Sequence, residues 1–358
     1  MLAAFTRLSP PQPLLAFIRS AGDRLRPPRP VPYLSAETRA RDEALGSGRA
    51  AGRQLAALLF ERDRGGLPTI VLGGFVPDST EQVHLLRGFL LRKGSVYYFN
   101  YPRGGFSLDL LCAQLDDLVA DLASRGRRPV ILSVSFGCGI VLEWLRRARD
   151  EGRAPDAAGL VFVSPVACAA DVLEEGAGKP STLLGRALKP YLGADAAGDP
   201  AIVEKSRAIF MRMFEAGAQN KASLRALMGH GELRRLRAAV FRAIREIDAT
   251  GAHERVRSLM EMAPMTSWPA AGEAPLSPAP TLILYAEKEG AVIAAGSPTR
   301  IALESSRQAL FPNSEIRIVS GGETPVQHAS LIFHYFQFLP HLTAFYRLLK
   351  TGKLRLAA

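Results

Sequence analysis

From Thr69 to Arg149, short apolar runs alternate with segments whose apolar positions recur every three or four residues. The short runs read as buried strands and the longer spacing as one face of a helix. Leu67-Pro-Thr-Ile-Val-Leu-Gly-Gly-Phe predicts a strand ending at Gly73-Gly74-Phe75. Asp78 or Ser79 then caps a helix with Val83, Leu86, Phe89 and Leu90 on its apolar face, ended by Gly94. Val96 to Phe99 is the next strand, and Ser107 caps a helix carrying Leu111, Leu115, Leu118 and Leu122. Val130 to Leu132 and Ile140 to Leu145 repeat the strand-then-helix pattern. Such alternation predicts an α/β fold: a mostly parallel central sheet with helices on both faces. Gln54 to Glu61 reads as a strand before this region, and Gly159 to Ser164 as one after it.

The alternation then stops. Ser181 to Leu192, Pro200 to Ala216 and Glu232 to Ile247 read as helices, and Asp199-Pro200 is a good helix start. In the last of these, Leu233, Leu236, Val240, Ile244 and Ile247 alternate with five arginines. A Pro/Ala-rich linker leads back to a strand at Thr281 to Tyr285, a helix from Ser297 to Leu310 and a strand at Glu315 to Val319. A final apolar helix is expected through Leu331, Phe333, Phe336 and Phe338, stopping before Pro340. The expected organisation is an extension at 1–48, a core formed by 49–166 and 281–358, and a helical insertion with its linker at 167–280. Within the extension, Leu14, Leu15, Phe17 and Ile18 predict one short amphipathic helix.

At 358 residues and 47% hydrophobic, the chain can bury a large core. The net charge of +11 favours anionic partners in general, but no basic cluster is interleaved with aromatics, so nucleic acid is not expected. Cys112, Cys138 and Cys168 form an odd set without metal-ligand spacing, in apolar surroundings, and read as buried free thiols in a reducing compartment. No apolar run reaches the length of a membrane span and the N-terminus lacks the continuous core of a secretory signal. The expectation is a cytoplasmic protein without stable membrane insertion; composition says nothing about oligomeric state. No dinucleotide fingerprint, Walker sequence or paired-histidine motif occurs, so neither cofactor nor metal is expected.

The chemistry centres on Ser133-Val134-Ser135-Phe136-Gly137, which joins a strand to a helix. A serine at such a tight turn projects its hydroxyl above the sheet, with the helix N-terminus behind it to favour developing negative charge. Small residues two before and two after let strand and helix approach closely; here they are Ser133 and Gly137.

This stretch resembles the nucleophile elbow of the α/β-hydrolase superfamily, and the resemblance extends over most of the chain. Asn100-Tyr101-Pro102-Arg103-Gly104-Gly105 is similar to the Asp-x-Arg-Gly-x-Gly stretch of many members, with Tyr101 at the aspartate position. The helical insertion looks like the cap these hydrolases carry after the sixth strand. The resemblance implies Ser135 as nucleophile, His328 as base and Glu289 as acid, in the order Ser…Glu…His. Asp171, after the sixth strand, is a second position where related enzymes carry the acid. The oxyanion hole implied is the N–H groups of Phe136 and Phe75, with Gly73 where the usual histidine stands. His334 and His341 lie in a helix and are expected to be structural, His84 falls in an early helix, and His230 and His253 belong to the cap. Both oxyanion-hole side chains are large and apolar, and Phe210, Met211, Met213, Phe214, Met260, Met262 and Met265 give the cap flexible apolar surface.

The expected activity is hydrolysis of a carboxylic ester or thioester with an apolar acyl group, through an acyl-enzyme. An acyltransferase of the same fold would use the same intermediate. A non-catalytic binding protein is the third reading, given Ser133, Gly73 and Glu289 at positions usually held by Gly, His and Asp.

Overall fold

The computed structural model describes residues 30–33, 55–174, 179–193, 199–218, 224, 227–268, 275–321 and 324–351. The helix expected around Leu14 to Ile18 and most of the Pro/Ala linker lie outside the described residues.

Eight described strands form one sheet: β1 (Val31–Pro32), β2 (Ala57–Gly66), β3 (Thr69–Leu72), β4 (Gly94–Asn100), β5 (Val130–Val134), β6 (Gly159–Val163), β7 (Thr281–Ala286) and β8 (Ser314–Val319). Their order is β1-β2-β4-β3-β5-β6-β7-β8. β1 and β2 run antiparallel to their neighbours and all later pairings are parallel. The expected fold class is therefore the observed one. Val31 and Pro32 of the expected extension form a strand of the sheet, and Tyr33 beside them donates its hydroxyl to Asp121.

The central strands are buried along their whole length, and mostly apolar, because both faces are covered. Along β5, Ile131 packs into one core and Val130, Leu132 and Val134 into the other. β6 and β7 alternate in the same way: Leu160, Phe162, Ile283 and Tyr285 against Val161, Val163, Leu282 and Leu284. This is the period-two geometry of a strand buried on both sides. One core is closed by α3 (Leu108–Ser124), α4 (Phe136–Asp150) and α9 (Pro298–Leu310); the other by α2 (Arg87–Leu91) and α10 (Tyr335–Thr351).

Two expected helices differ. The helix expected from Asp78 to Gly94 is split into α1 (Ser79–Gln82) and α2, with a non-helical backbone at Val83. The first turn is drawn away because Ser79 and Gln82 bind the backbone of Gly73 and Gly74. The last helix begins at Tyr335, not near Leu331, and Pro340 lies inside it. Residues before Tyr335 are held in a loop, where Ser330 bonds His334. Pro340 removes a single ladder bond in the second turn, and the helix continues past it.

Between β6 and β7 lies the helical cap: α5 (Leu183–Leu188), α6 (Pro200–Ala218), α7 (His230–Glu246) and α8 (Ala249–Glu261). α7 buries Leu236, Val240, Phe241 and Ile244 and exposes its arginines, as its spacing predicts. No described helix is long and apolar enough to cross a membrane.

Candidate active site

Ser135 sits between β5 and α4 with φ 51° and ψ −118°, a conformation unfavourable for any residue with a Cβ. The turn is held because the Ser135 N–H donates to the Val163 carbonyl at 2.8 Å and its carbonyl accepts from Cys138 at 2.9 Å. Gly137 is required by the close approach of strand and helix: a Cβ there would stand 2.4 Å from the Gly73 carbonyl oxygen. Ser133 fills the position usually held by glycine without strain, because its hydroxyl donates to the Val161 carbonyl at 3.2 Å and contacts the Cys138 sulfur at 3.4 Å.

The three residues expected to work together converge. His328 Nε2 lies 2.9 Å from Ser135 Oγ, and His328 Nδ1 lies 2.5 Å from Glu289 Oε2. The other carboxylate oxygen, Oε1, accepts from the Ser164 hydroxyl at 2.7 Å and the Ala286 N–H at 2.6 Å. Glu289 is 4% exposed, and burial alone would push its carboxyl up. The neighbouring His328 and the three hydrogen bonds together outweigh burial and hold it below the usual carboxylate range. A carboxylate at Nδ1 fixes the imidazole proton there and leaves Nε2 as the acceptor for the serine hydroxyl.

Asp171, the alternative acid, is used elsewhere. Its Oδ2 accepts from the N–H groups of Ala167 (2.7 Å) and Cys168 (3.1 Å). Its Oδ1 accepts from the Ser297 hydroxyl (2.6 Å) and the Thr299 N–H (3.0 Å). The carboxylate thus ties the segment after β6 to the start of α9, while His328 pairs with Glu289. Glu287 is exposed, beside the buried Glu289.

Ser164 was not singled out by the sequence. It directly follows β6 at φ 49°, donates to Glu289 and accepts from the Ala329 N–H at 3.1 Å. Ser135, Ser164 and Ala329 are the residues other than glycine with positive φ among those described: the first belongs to the Ser135–His328–Glu289 relay and the other two adjoin it. Backbone strain of this kind persists where surrounding contacts over-determine the geometry.

The loop after β3 lies against the serine, so close that a Cβ on Gly74 would be 3.4 Å from that of Ser135. The loop is held on several sides. Gly73 donates to Ser79 Oγ at 2.8 Å, Gly74 donates to Gln82 Oε1 at 2.6 Å, and the Gly73 carbonyl accepts from the Tyr101 hydroxyl at 2.8 Å. Tyr101 thus braces this loop. The Phe75 and Phe136 N–H groups have no acceptor among the described residues. Their rings pack at 5.3 Å, but the two side chains part ways. Phe75 lines the cavity above Ser135, whereas Phe136 turns into the core beside Tyr101 and Phe106.

That cavity encloses about 360 Å³. Its walls include Leu184 from α5, Phe210, Met213 and Phe214 from α6, Val240 and Ile244 from α7, and Ile332 and Phe333 from the loop before α10. Gln82, Gln327 and Ser330 add neutral polar groups, and none of the described lining side chains is Asp, Glu, Lys or Arg. The cap methionines therefore divide: Met213 lines the cavity, Met211 packs within the cap, Met262 and Met265 are core, and Met260 is exposed. His334 is buried in hydrogen-bonding contact with Ser330 and Thr324, and His84 pairs with Glu232, both apart from the relay.

No protein-family model matches the chain, and no curated protein matches it. Among solved structures it is similar to a thermophilic esterase from Thermogutta terrifontis, at 16% identity and TM-score 0.54, over 82% of this chain and 94% of that one. An epoxide hydrolase from Bacillus megaterium is similar at 12% identity and TM-score 0.53, over 82% of this chain and 97% of that one. A membrane phospholipase A is similar at 13% identity and TM-score 0.53, over 94% and 97%. The chain has the α/β-hydrolase fold, with a helical cap.

Proposed function

We propose that the protein is a serine hydrolase that cleaves carboxylic esters or thioesters with an apolar acyl group. The observation that carries this reading is the continuous relay Ser135–His328–Glu289 opening into an apolar cavity under the cap. His328 Nε2 takes the hydroxyl proton as Ser135 Oγ attacks the acyl carbon. The carbonyl oxygen becomes an oxyanion, received by the N–H groups of Phe75 and Phe136. The intermediate collapses, the alcohol or thiol leaves with the proton from His328, and Ser135 remains acylated. Water then attacks with His328 again as base, releasing the acid and restoring the hydroxyl. Glu289 orients the imidazole and stabilises its cationic form.

An apolar cavity without charged walls favours acyl chains over charged acyl groups. Each CH₂ buried contributes about 0.8 kcal/mol, or roughly fourfold in kcat/KM, until the cavity is full. The deciding experiment is fluorophosphonate labelling of the wild type and of Ser135→Ala, followed by a series of p-nitrophenyl esters of increasing acyl length. Labelling confined to Ser135 and a preference rising above acetate support the reading. Labelling that persists in Ser135→Ala, or a preference for acetate, would overturn the nucleophile or the acyl specificity respectively.

A further inference from the structure

One buried cation has no part in the mechanism above. Arg255, on cap helix α8, is 1% exposed, and among the described residues no carboxylate bonds it. Nη1 donates to the Phe75 carbonyl at 2.8 Å and Nη2 to the Pro102 carbonyl at 2.7 Å. Its guanidinium carbon lies 5.6 Å from the Tyr101 ring centre and 5.9 Å from that of Phe106, while Nε has no acceptor among the described residues. Burial and the nearby Arg103 push its pKa down to about 10 against the opposing pull of the Asp78 carboxylate, so it remains a cation at neutral pH. Burying an arginine without a directly bonded carboxylate is costly, and two carbonyls repay only part of the lost hydration.

Other contacts also seat α8. The Asp248 N–H donates to the Arg103 carbonyl at 3.1 Å, and the Glu254 carboxylate accepts from the Phe106 N–H. Gly251 closes on the same loop so tightly that a Cβ would stand 2.1 Å from the Arg103 carbonyl oxygen. The helix is thus already seated on residues 103–106, and Arg255 reaches beyond that seat to Phe75. Gly73 and Gly74 are held by residues of the sheet domain, but the Phe75 carbonyl is held from the cap.

We propose that Arg255 is a positioning residue that fixes Phe75 at the oxyanion hole from the cap, linking the seating of the cap to stabilisation of the transition state. This rests on the serine-hydrolase reading of Ser135. Clamping the carbonyl of a residue restrains the backbone on which its own N–H is carried. The guanidinium also places a positive charge, weakly screened by its buried surroundings, next to the residue whose N–H receives the oxyanion.

The test compares wild type with Arg255→Met, which removes charge and donors, and Arg255→Lys, which keeps the charge and one reaching donor. Rates are expressed per site titrated with a fluorophosphonate, so that misfolded protein does not count. An alkyl boronic acid, which forms a tetrahedral anion on the serine, reports the oxyanion hole directly. For Arg255→Met, kcat should fall about 10- to 100-fold, below the loss for deleting a whole oxyanion donor, with KM changed less than roughly threefold. Boronate affinity should fall by the same factor as kcat, and Arg255→Lys should recover part of both. If Arg255→Met does not fold, the same proportionality is required of Arg255→Lys. An unchanged kcat per titrated site, or a lower kcat with unchanged boronate affinity, would overturn the proposal. A wild type that fluorophosphonate does not label would remove the serine-hydrolase reading itself, and this inference with it.

Discussion

Replacing Glu289 by glutamine changes one oxygen to an NH₂ group, and the surrounding donors decide which one. Oε1 faces two donors, the Ser164 hydroxyl and the Ala286 N–H, whereas Oε2 faces His328 Nδ1 alone. The amide oxygen is therefore held at the Oε1 position and the NH₂ is turned towards the imidazole. Two donors cannot share that contact, so His328 adopts the tautomer with its proton on Nε2. That proton then points at Ser135 Oγ, and the base can no longer accept from the nucleophile. Loss of the correct tautomer in a serine triad lowers kcat by about 10⁴-fold, or roughly 5 kcal/mol in the barrier. The assay is steady-state hydrolysis of a p-nitrophenyl ester at neutral pH, with circular dichroism and thermal unfolding as controls for the fold. Asp171→Asn is the companion variant: it sets an NH₂ against N–H donors in a fully buried site, and should cost about 1–3 kcal/mol of stability. Its turnover per folded molecule should stay near wild type. A folded Glu289→Gln that works within tenfold of wild type, beside a crippled Asp171→Asn, would refute the assignment of the acid.

Ser164→Ala removes a donor to an ionised carboxylate and the acceptor of the Ala329 N–H; at about 1.5–3 kcal/mol for such a bond, kcat should fall roughly 10- to 100-fold, measured on the same ester. Burial pushes the Cys112, Cys138 and Cys168 thiols up to about 12, so Ellman's reagent at mildly alkaline pH should find no thiol in the native protein and all three after denaturation. Because native Glu289 ionises below its unfolded value of about 4.3, its stabilising contribution is complete above that value and is lost as pH falls through the native one. The difference in urea stability between wild type and Glu289→Gln should accordingly shrink from about pH 6 to about pH 3.

The elements of the sheet domain were legible because each buried strand and each helix face has its own period. The candidate nucleophile and base were legible for a related reason: Ser135 and His328 each follow a strand, in the order expected of this fold. The acid was not decided by sequence, since Glu289 and Asp171 both lie beyond a strand end. Their difference lies in donors more than a hundred positions away, Ser297 and Thr299, that engage Asp171. The helix bearing Arg255 was missed because its apolar positions are few and small, and an arginine in such a stretch reads as surface. Ser164 looked like the end of a strand; only its contacts with Glu289 and Ala329 give it a place in the site. The breaks in the helix after Gly73-Gly74 and in the loop before α10 were hidden for the same reason, since both depend on side chains engaged by the site.

The contacts that complete the site join residues far apart along the chain. Ser135 meets His328 across 193 positions, Glu289 meets Ser164 across 125, and Arg255 meets Phe75 across 180. Local segments can regain helix and strand early, because their own periods favour it, but none of them contains a working site. Contacts of such long sequence separation carry the largest loop-closure cost and are slow to form. Recovery of the proposed ester hydrolysis after dilution from denaturant should therefore trail recovery of the far-ultraviolet circular dichroism signal. Turnover in this architecture reports that the two ends of the fold and the insertion between them have met.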